Sequence, residues 1–299
     1  MRAKIKTAVE TAVKAGLTAE QDIDAFIDAE LPFAVGGGYG GDTSCVQIIG
    51  PTDEYIVCDT GSGLRPFGNA AIGQHGPNNP QAYHFFQSDS HWDHVMGFPF
   101  FVPAYIPGNK IVIYGVHDSL NHVFGAQKSS PHFPVDFKDL SAMVEFVILD
   151  PNKSHDIAGV KVSALKQNHP NDSYAYRFEA DGKSVVYSTD CEHPEDGFDS
   201  SYPHVEIFKD ADLLIVDAVY SLVEARTTKD DWGHASNATA VELGKQATVK
   251  HLMIFHHDPG FSDEKLDQFY ADTVRYEELI ELGEPMKVSI SYDGLEVAV

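Results

Sequence analysis

Ser88-Asp89-Ser90-His91-Trp92-Asp93-His94 is the stretch that decides this chain. Asp89, His91, Asp93 and His94 offer carboxylate oxygens and imidazole nitrogens, the donors that hold divalent metals. A lone histidine is ordinarily a satisfied core or surface residue. Four such groups within six positions are hard to explain that way. Residues two apart on an extended loop point the same way, so Asp89 and His91 can share one ion. Asp93 and His94, on the turn that follows, can face a second. Two ions about 3.5–4 Å apart can clamp the attacking and leaving oxygens of a displacement and acidify the water between them. The motif points to metal-assisted hydrolysis.

Outward from it, the chain is strand-rich. Ser44–Ile49, Tyr55–Cys58, Ala82–Gln87 and Ile111–Tyr114 are β-branched or aromatic runs bounded by turn residues. Val160–Leu165, Tyr174–Phe178, Ser184–Ser188, Leu213–Val216 and Leu252–Phe255 continue the series. Polar groups that could complete a metal site lie just past several of them: His169, Asp190 and His256. Singly, His169 before Pro170 reads as a turn residue and Asp190 as a helix cap. Jointly with the first cluster they fit one centre at a sheet edge. Ser236-Asn237 predicts the start of a helix running to about Ala247, and a second spans about Glu264 to Leu282. Lys287–Tyr292 and Leu295–Val299 around Asp293-Gly294 predict a terminal hairpin.

Residues 1–34 are expected to be a helical N-terminal extension. Thr18-Ala19-Glu20-Gln21 has capping-box form, Ile23, Phe26, Ile27 and Leu31 follow at helical spacing, and Pro32 stops the run. The main domain would then occupy 35–299, with 117–150 inserted between strands as a lid, a substrate wall or a dimer contact. Strands followed by a few helices give the expected class, an α/β sandwich of layered sheets and helices.

Bulk composition narrows the partners. The 299 residues carry 21 Lys plus Arg against 45 Asp plus Glu, a formal net charge of −24. A field of that sign repels polyanions, and no two basic residues adjoin, so long nucleic acid is disfavoured. No apolar run is long enough to span a bilayer, and the first residues lack the apolar core of a secretory signal. Three cysteines, Cys45, Cys58 and Cys191, make no disulfide framework. The expected location is a reducing cytoplasm.

These motifs together resemble the metallo-β-lactamase superfamily from about Gly36 to Val299, and within it the branch of RNase Z-type endonucleases and cyclic-phosphate or cyclic-nucleotide phosphodiesterases. The family's His-x-His-x-Asp-His signature stands here as Asp89-Ser90-His91-Trp92-Asp93-His94. Gly41-Asp42-Thr43-Ser44-Cys45, Asp59-Thr60-Gly61-Ser62-Gly63-Leu64-Arg65, Asp217-Ala218-Val219-Tyr220, Gly233-His234-Ala235-Ser236 and Leu252–Pro259 are branch-like and in order. The resemblance implies an αββα sandwich with two divalent ions, zinc first, with manganese or iron in some members. It implies one ion on Asp89, His91 and His169, and another on Asp93, His94 and His256, with Asp190 bridging. It places His234 beside the metals, assisting the phosphate or leaving group, and gives Asp93 a part in orienting the nucleophile.

One position departs: Asp89 stands where the family usually has a histidine. Its harder, charged oxygen could shift the metal preference, weaken the first site or, at the extreme, silence it. Asp59 is expected to brace the site from behind. Glu224 could orient His234, although a solvated carboxylate is the simpler reading. Cys191 reads as a small buried residue, and Trp92 with Phe98-Pro99-Phe100-Phe101 as packing. The leading expectation is a hydrolase of a small-molecule phosphodiester. A tRNA-processing nuclease, a lactone, thioester or β-lactam hydrolase, and a silent metal-binding sensor are the alternatives.

Overall fold

The computed structural model describes residues 1–18, 22–193, 201–218, 220–227 and 232–299. The predicted capping box at Thr18–Gln21 and Val219 of the Asp217–Tyr220 motif fall wholly or partly outside them. The helices are α1 (Arg2–Ala15), α2 (Ile23–Glu30), α3 (Phe33–Gly36), α4 (Leu64–His75), α5 (Trp92–Val95), α6 (Leu120–Gln127), α7 (Pro203–Phe208), α8 (Leu222–Thr227), α9 (Asn237–Gln246) and α10 (Asp263–Leu279). The strands of the first sheet are β1 (Val46–Ile48), β2 (Tyr55–Cys58), β3 (Ala82–Phe86), β4 (Lys110–Gly115) and β5 (Met143–Ile148), paired in that order. Those of the second are β6 (His155–Ile157), β7 (Val160–Gln167), β8 (Ser173–Ala180), β9 (Lys183–Ser188), β10 (Leu213–Asp217), β11 (His251–Phe255) and β12 (Lys287–Ile290), paired in reverse order.

Strand parity explains the layering. Ile56 and Cys58 of β2, Phe86 of β3 and Val112 of β4 point inward, against Val162, Tyr176, Phe178, Tyr187, Ile215 and Met253 of the other sheet. Their neighbours Val57, Phe85, Ile111 and Ile113 point outward, onto α4 and α6. In the second sheet Leu214, Val216, Leu252 and Ile254 face outward against α7, α9 and α10. Each central strand is thus buried on both faces, which is why these strands read as continuous apolar runs. The result is helix, sheet, sheet, helix: the αββα architecture.

Ser236 caps α9 as expected, its hydroxyl accepting from Thr239 N at 3.1 Å. Two expectations fail. The terminal hairpin does not form, because β12 lies parallel to β11 and residues 295–299 form no strand. The Asp293-Gly294 turn exists, but Asp293 Oδ2 accepts from Gly41 N at 2.9 Å and Asp42 N at 3.3 Å, fastening the turn to the start of the main domain. Leu295 and Val297 then pack on the inter-sheet core instead of pairing with β12. The second failure is the 117–150 insertion. Its Leu120 and Phe124 are core residues, and 143–148 is the edge strand β5, in parallel register with β4. Most of that segment is framework.

The N-terminal helices dock on α10. Tyr39 Oη donates to Asp267 at 2.6 Å, Ala34 N donates to the same carboxylate at 3.3 Å, and Lys4 pairs with Asp263. Asp22 caps α2, its side chain accepting from Asp24 N and Ala25 N.

Phe86 sits at the centre of the inter-sheet layer, with ring centroids 5.0 Å from Tyr114, 5.6 Å from Tyr176 and 5.1 Å from Phe178. Phe86→Ala is expected to cost about 3–5 kcal/mol of unfolding free energy, read as a lower midpoint in urea denaturation. A change below about 1 kcal/mol would mean that the two sheets do not share this core.

Candidate metal centre

The parallel strands end at one edge of the sandwich, where open α/β sheets collect functional loops. Asp59 follows β2, the Asp89–His94 stretch follows β3, and His169 follows β7. Asp190 lies two residues past β9, Asp217 closes β10, and His256 follows β11. Three of these residues adopt left-handed backbone: Asp59 at φ 59°, Asp190 at φ 60° and His256 at φ 59°. That conformation is strained for a residue with a Cβ and is kept where the surroundings impose it. Here it turns each side chain off its strand toward the common edge.

All seven predicted metal residues come together. The donor atoms of Asp89, His91 and His169 lie within 4.8 Å of one another, as do those of Asp93, His94 and His256. Asp190 joins them: its Oδ2 is 3.0 Å from His94 Nε2, and its Oδ1 is 3.8 Å from His169 Nε2 and 3.6 Å from His256 Nε2. Asp89 Oδ2 lies 2.6 Å from His91 Nδ1 and 3.3 Å from His169 Nε2. Asp93 Oδ2 lies 3.3 Å from His94 Nε2 and 3.1 Å from His256 Nε2. The adjacent His257 turns away, its Nε2 donating to the Ser291 carbonyl at 2.9 Å.

The backing of each ring decides which nitrogen faces inward. Asp59, fully buried, accepts His94 Nδ1–H at 2.8 Å and so leaves Nε2 toward the cluster. That Nε2 is buried without a well-directed hydrogen bond, facing Asp190 Oδ2 at 3.0 Å and Asp93 Oδ2 at 3.3 Å. A buried polar atom left so is costly unless something is to occupy it, and a divalent cation fits the oxygen and nitrogen donors around it. His169 donates Nδ1–H to the Gly233 carbonyl at 2.9 Å, freeing its own Nε2. Gly233 has φ +81°, and a Cβ there would collide with the His169 ring, so only glycine serves.

Charge in the cluster is mutually supported. Burial is the largest influence on His94 and opposes its charged form, yet Asp190 and Asp59 raise its imidazole well above the usual range. Burial likewise works against Asp190, yet His256 and His94 hold its carboxyl well below normal. Asp89 and Asp93 are also lowered and His169 and His256 raised, in each case by the opposite partners overriding burial. Cations entering here would replace protons as the carboxylates' counter-charge.

His234 lies at the rim. Its Nδ1 is 2.9 Å from Asp217 Oδ2 and 3.7 Å from Asp190 Oδ1, and its ring stacks at 5.4 Å on His256. Glu224 is not its orienting group. That carboxylate accepts from Ser221 N at 3.0 Å and pairs with Lys265 at 3.1 Å. Asp217, quoted in the sequence as part of a motif without a role, takes that place. Sequence reasoning also missed Gln87, whose Nε2 reaches Asp59 Oδ1 at 3.0 Å and the Asp89 carbonyl at 2.7 Å, and Tyr187, which donates to Asp59 at 2.7 Å. Polar residues inside or just past apolar strands were the only available signal. Of the aromatics assigned to packing, Phe98 and Phe101 are buried, but Trp92 is 66% and Phe100 54% exposed.

A family model described as the beta-lactamase superfamily domain matches residues 54–257, which include every member of the cluster. The chain belongs to the beta-lactamase superfamily. Its members are generally metal-dependent hydrolases, and this fold implies divalent metal ions. No curated protein matches the sequence significantly. Among solved structures, the metallo-β-lactamase fold protein YhfI of Bacillus subtilis is 19% identical with a TM-score of 0.61, covering 87% of this chain and 95% of its own. A diphosphatase from the PhnP family is 18% identical with a TM-score of 0.59, covering 85% and 83%. Unliganded yeast PDE1 is 15% identical with a TM-score of 0.62, covering 86% and 96%. At these identities the likeness establishes the shared fold.

Asp59→Asn keeps the shape but weakens the charged acceptor behind His94. Metal affinity should fall about 10–100-fold, measured by competition with a chromogenic chelator. Unchanged affinity would show that His94 needs no such brace.

Proposed function

We propose that this chain is a metal-dependent phosphodiesterase acting on a small phosphodiester or cyclic nucleotide. The observation that carries the reading is His234: a histidine outside the seven-residue cluster, fixed by Asp217 at 2.9 Å and stacked on His256. Asp89, His91 and His169 would hold one divalent ion and Asp93, His94 and His256 another, with Asp190 between them. Zinc is the first choice, and manganese or iron becomes more favourable with Asp89 as an oxygen donor. Such ions supply Lewis acidity toward a phosphoryl oxygen and make water nucleophilic near neutral pH.

The chain's own residues do the rest. Asp93 is 42% exposed at its side chain, so water and substrate can reach it. Its carboxylate orients the attacking water and takes a proton as the new O–P bond forms. Asp217 occupies His234 Nδ1, which leaves Nε2 to give its proton to the leaving oxygen as the old P–O bond breaks. Asp217 is fully buried, and its carboxylate fixes the orientation of the His234 ring.

Charge also selects the substrate. Asp89 in place of a histidine adds a negative charge to the donor set and so lowers the net positive charge that two divalent cations would bring. The chain's net charge of −24 disfavours a long polyanion. A diphosphatase shares this fold, which hosts many chemistries.

The test offers bis(p-nitrophenyl) phosphate, a cyclic nucleotide, a pre-tRNA and a chromogenic lactam to protein loaded with zinc or manganese. Turnover is expected on the first two. Metal-replete protein that hydrolyses neither defeats the proposal, and turnover confined to the lactam or the tRNA replaces it. His234→Ala should lower kcat about 10²–10⁴-fold with metal content retained. Loss of metal in that variant would make His234 a ligand instead. Asp89→His should change the ratio of zinc- to manganese-supported rates, and an unchanged ratio together with unchanged metal content removes Asp89 from the ligand set.

A further inference from the structure

A second cluster lies beyond the residues discussed so far. Cys191 Sγ is 3.4 Å from His204 Nε2 and 3.7 Å from His193 Nδ1, and the three donors lie within 4.8 Å of one another. All three residues are buried, Cys191 completely. None of them belongs to the seven-residue cluster, although Cys191 directly follows Asp190. We infer that Cys191, His193 and His204 form a separate structural site for a thiophilic divalent cation of the zinc type.

Geometry carries the inference. With Zn–S about 2.3 Å and Zn–N about 2.0–2.1 Å, the sulfur-to-nitrogen edge of a tetrahedron is about 3.5 Å. The two observed edges, 3.4 and 3.7 Å, fall on either side of it. S–H···N hydrogen bonds have similar lengths, so it is the convergence of three buried donors within 4.8 Å, together with these edges, that points to a cation. One cysteine and two histidines are also a donor set that zinc accepts, alongside a fourth ligand. Tyr202 Oη hydrogen-bonds His193 Nδ1 at 2.8 Å, a contact the cation would replace at that nitrogen.

Burial keeps both imidazoles neutral, while it pushes the Cys191 thiol up, so a cation would have to displace that proton. Burial pushes the His204 imidazole down to about 4, so it is neutral, which is its ligating form. Its Nδ1 is buried without a hydrogen bond, so the ring is held by the Nε2 side alone. Cation binding would break the Cys191 S–H bond, form the metal–sulfur bond and send the proton to solvent.

The position gives the site a purpose. His204 sits on α7, only six residues long, too short to be stable by its own hydrogen bonds. A cation at Cys191 would tie α7 to the loop carrying Asp190, whose left-handed backbone needs outside support. Such a tie would stiffen one wall of the candidate metal centre without touching substrate.

Cobalt(II) is the probe, because the seven-residue cluster contains no sulfur. The full-length chain, stripped by a chelator and reloaded with cobalt, should show a thiolate-to-cobalt charge-transfer band in the near ultraviolet. The band should vanish in Cys191→Ala, weaken in His204→Ala and persist in His256→Ala. Zinc content should drop by one ion per chain in Cys191→Ala. If that variant fails to fold, Cys191→Ser makes the same comparison with a near-isosteric side chain. A cobalt-loaded wild type without the band, while visible absorption shows the other cluster filled, overturns the inference. So does a band that survives loss of Cys191.

Discussion

Asp59 holds the structure together at its functional edge. A buried carboxylate is tolerable only when fully hydrogen-bonded, and this one accepts from Gln87 Nε2, Ser88 N, Ser88 Oγ, His94 Nδ1 and Tyr187 Oη. Ser88 and Gln87 follow β3 in the first sheet, whereas Tyr187 lies on β9 in the second. One side chain therefore joins the two halves of the sandwich and aims His94 at its neighbours. The fold and the site share this interaction, so neither can drift without the other.

The cost of the arrangement is visible in its charges. Carboxylates and imidazoles are packed at salt-bridge distance at one edge, and burial opposes the charge of each. Mutual attraction compensates in their present form, at the expense of backbone strain at Asp59, Asp190 and His256. Sequences generally retain strained, densely charged edges for function, since apolar packing would be more stable there.

Much of this was legible in the sequence because it is local. The strands are apolar runs bounded by turn residues, Ser236 is a local cap, and Asp89 to His94 are neighbours in the chain. The misreadings are all long-range. Nothing near Asp293 tells it to hold Gly41 and Asp42 instead of closing a hairpin. Residues 143–148 became an edge strand because β4 offered a free side, which no local pattern reveals. Asp217 reaches His234 across 17 positions, and Cys191 meets His204 across 13. Each partner looked like an ordinary core or surface residue until the fold placed it.

The division between rigid and variable parts follows from the same geometry. The candidate metal-binding groups sit on short turns directly after strands, where register with neighbouring strands fixes position to a fraction of an ångström. His234 and Phe100 lie farther along the connecting segments, Trp92 lies within the Asp89–His94 stretch, and both aromatics are largely exposed. Substitutions in those segments can reshape what approaches the centre while Asp59 keeps His94 in place. Hydrolytic chemistry and substrate choice are thereby carried by different pieces of chain, which is how one sandwich can serve many substrates.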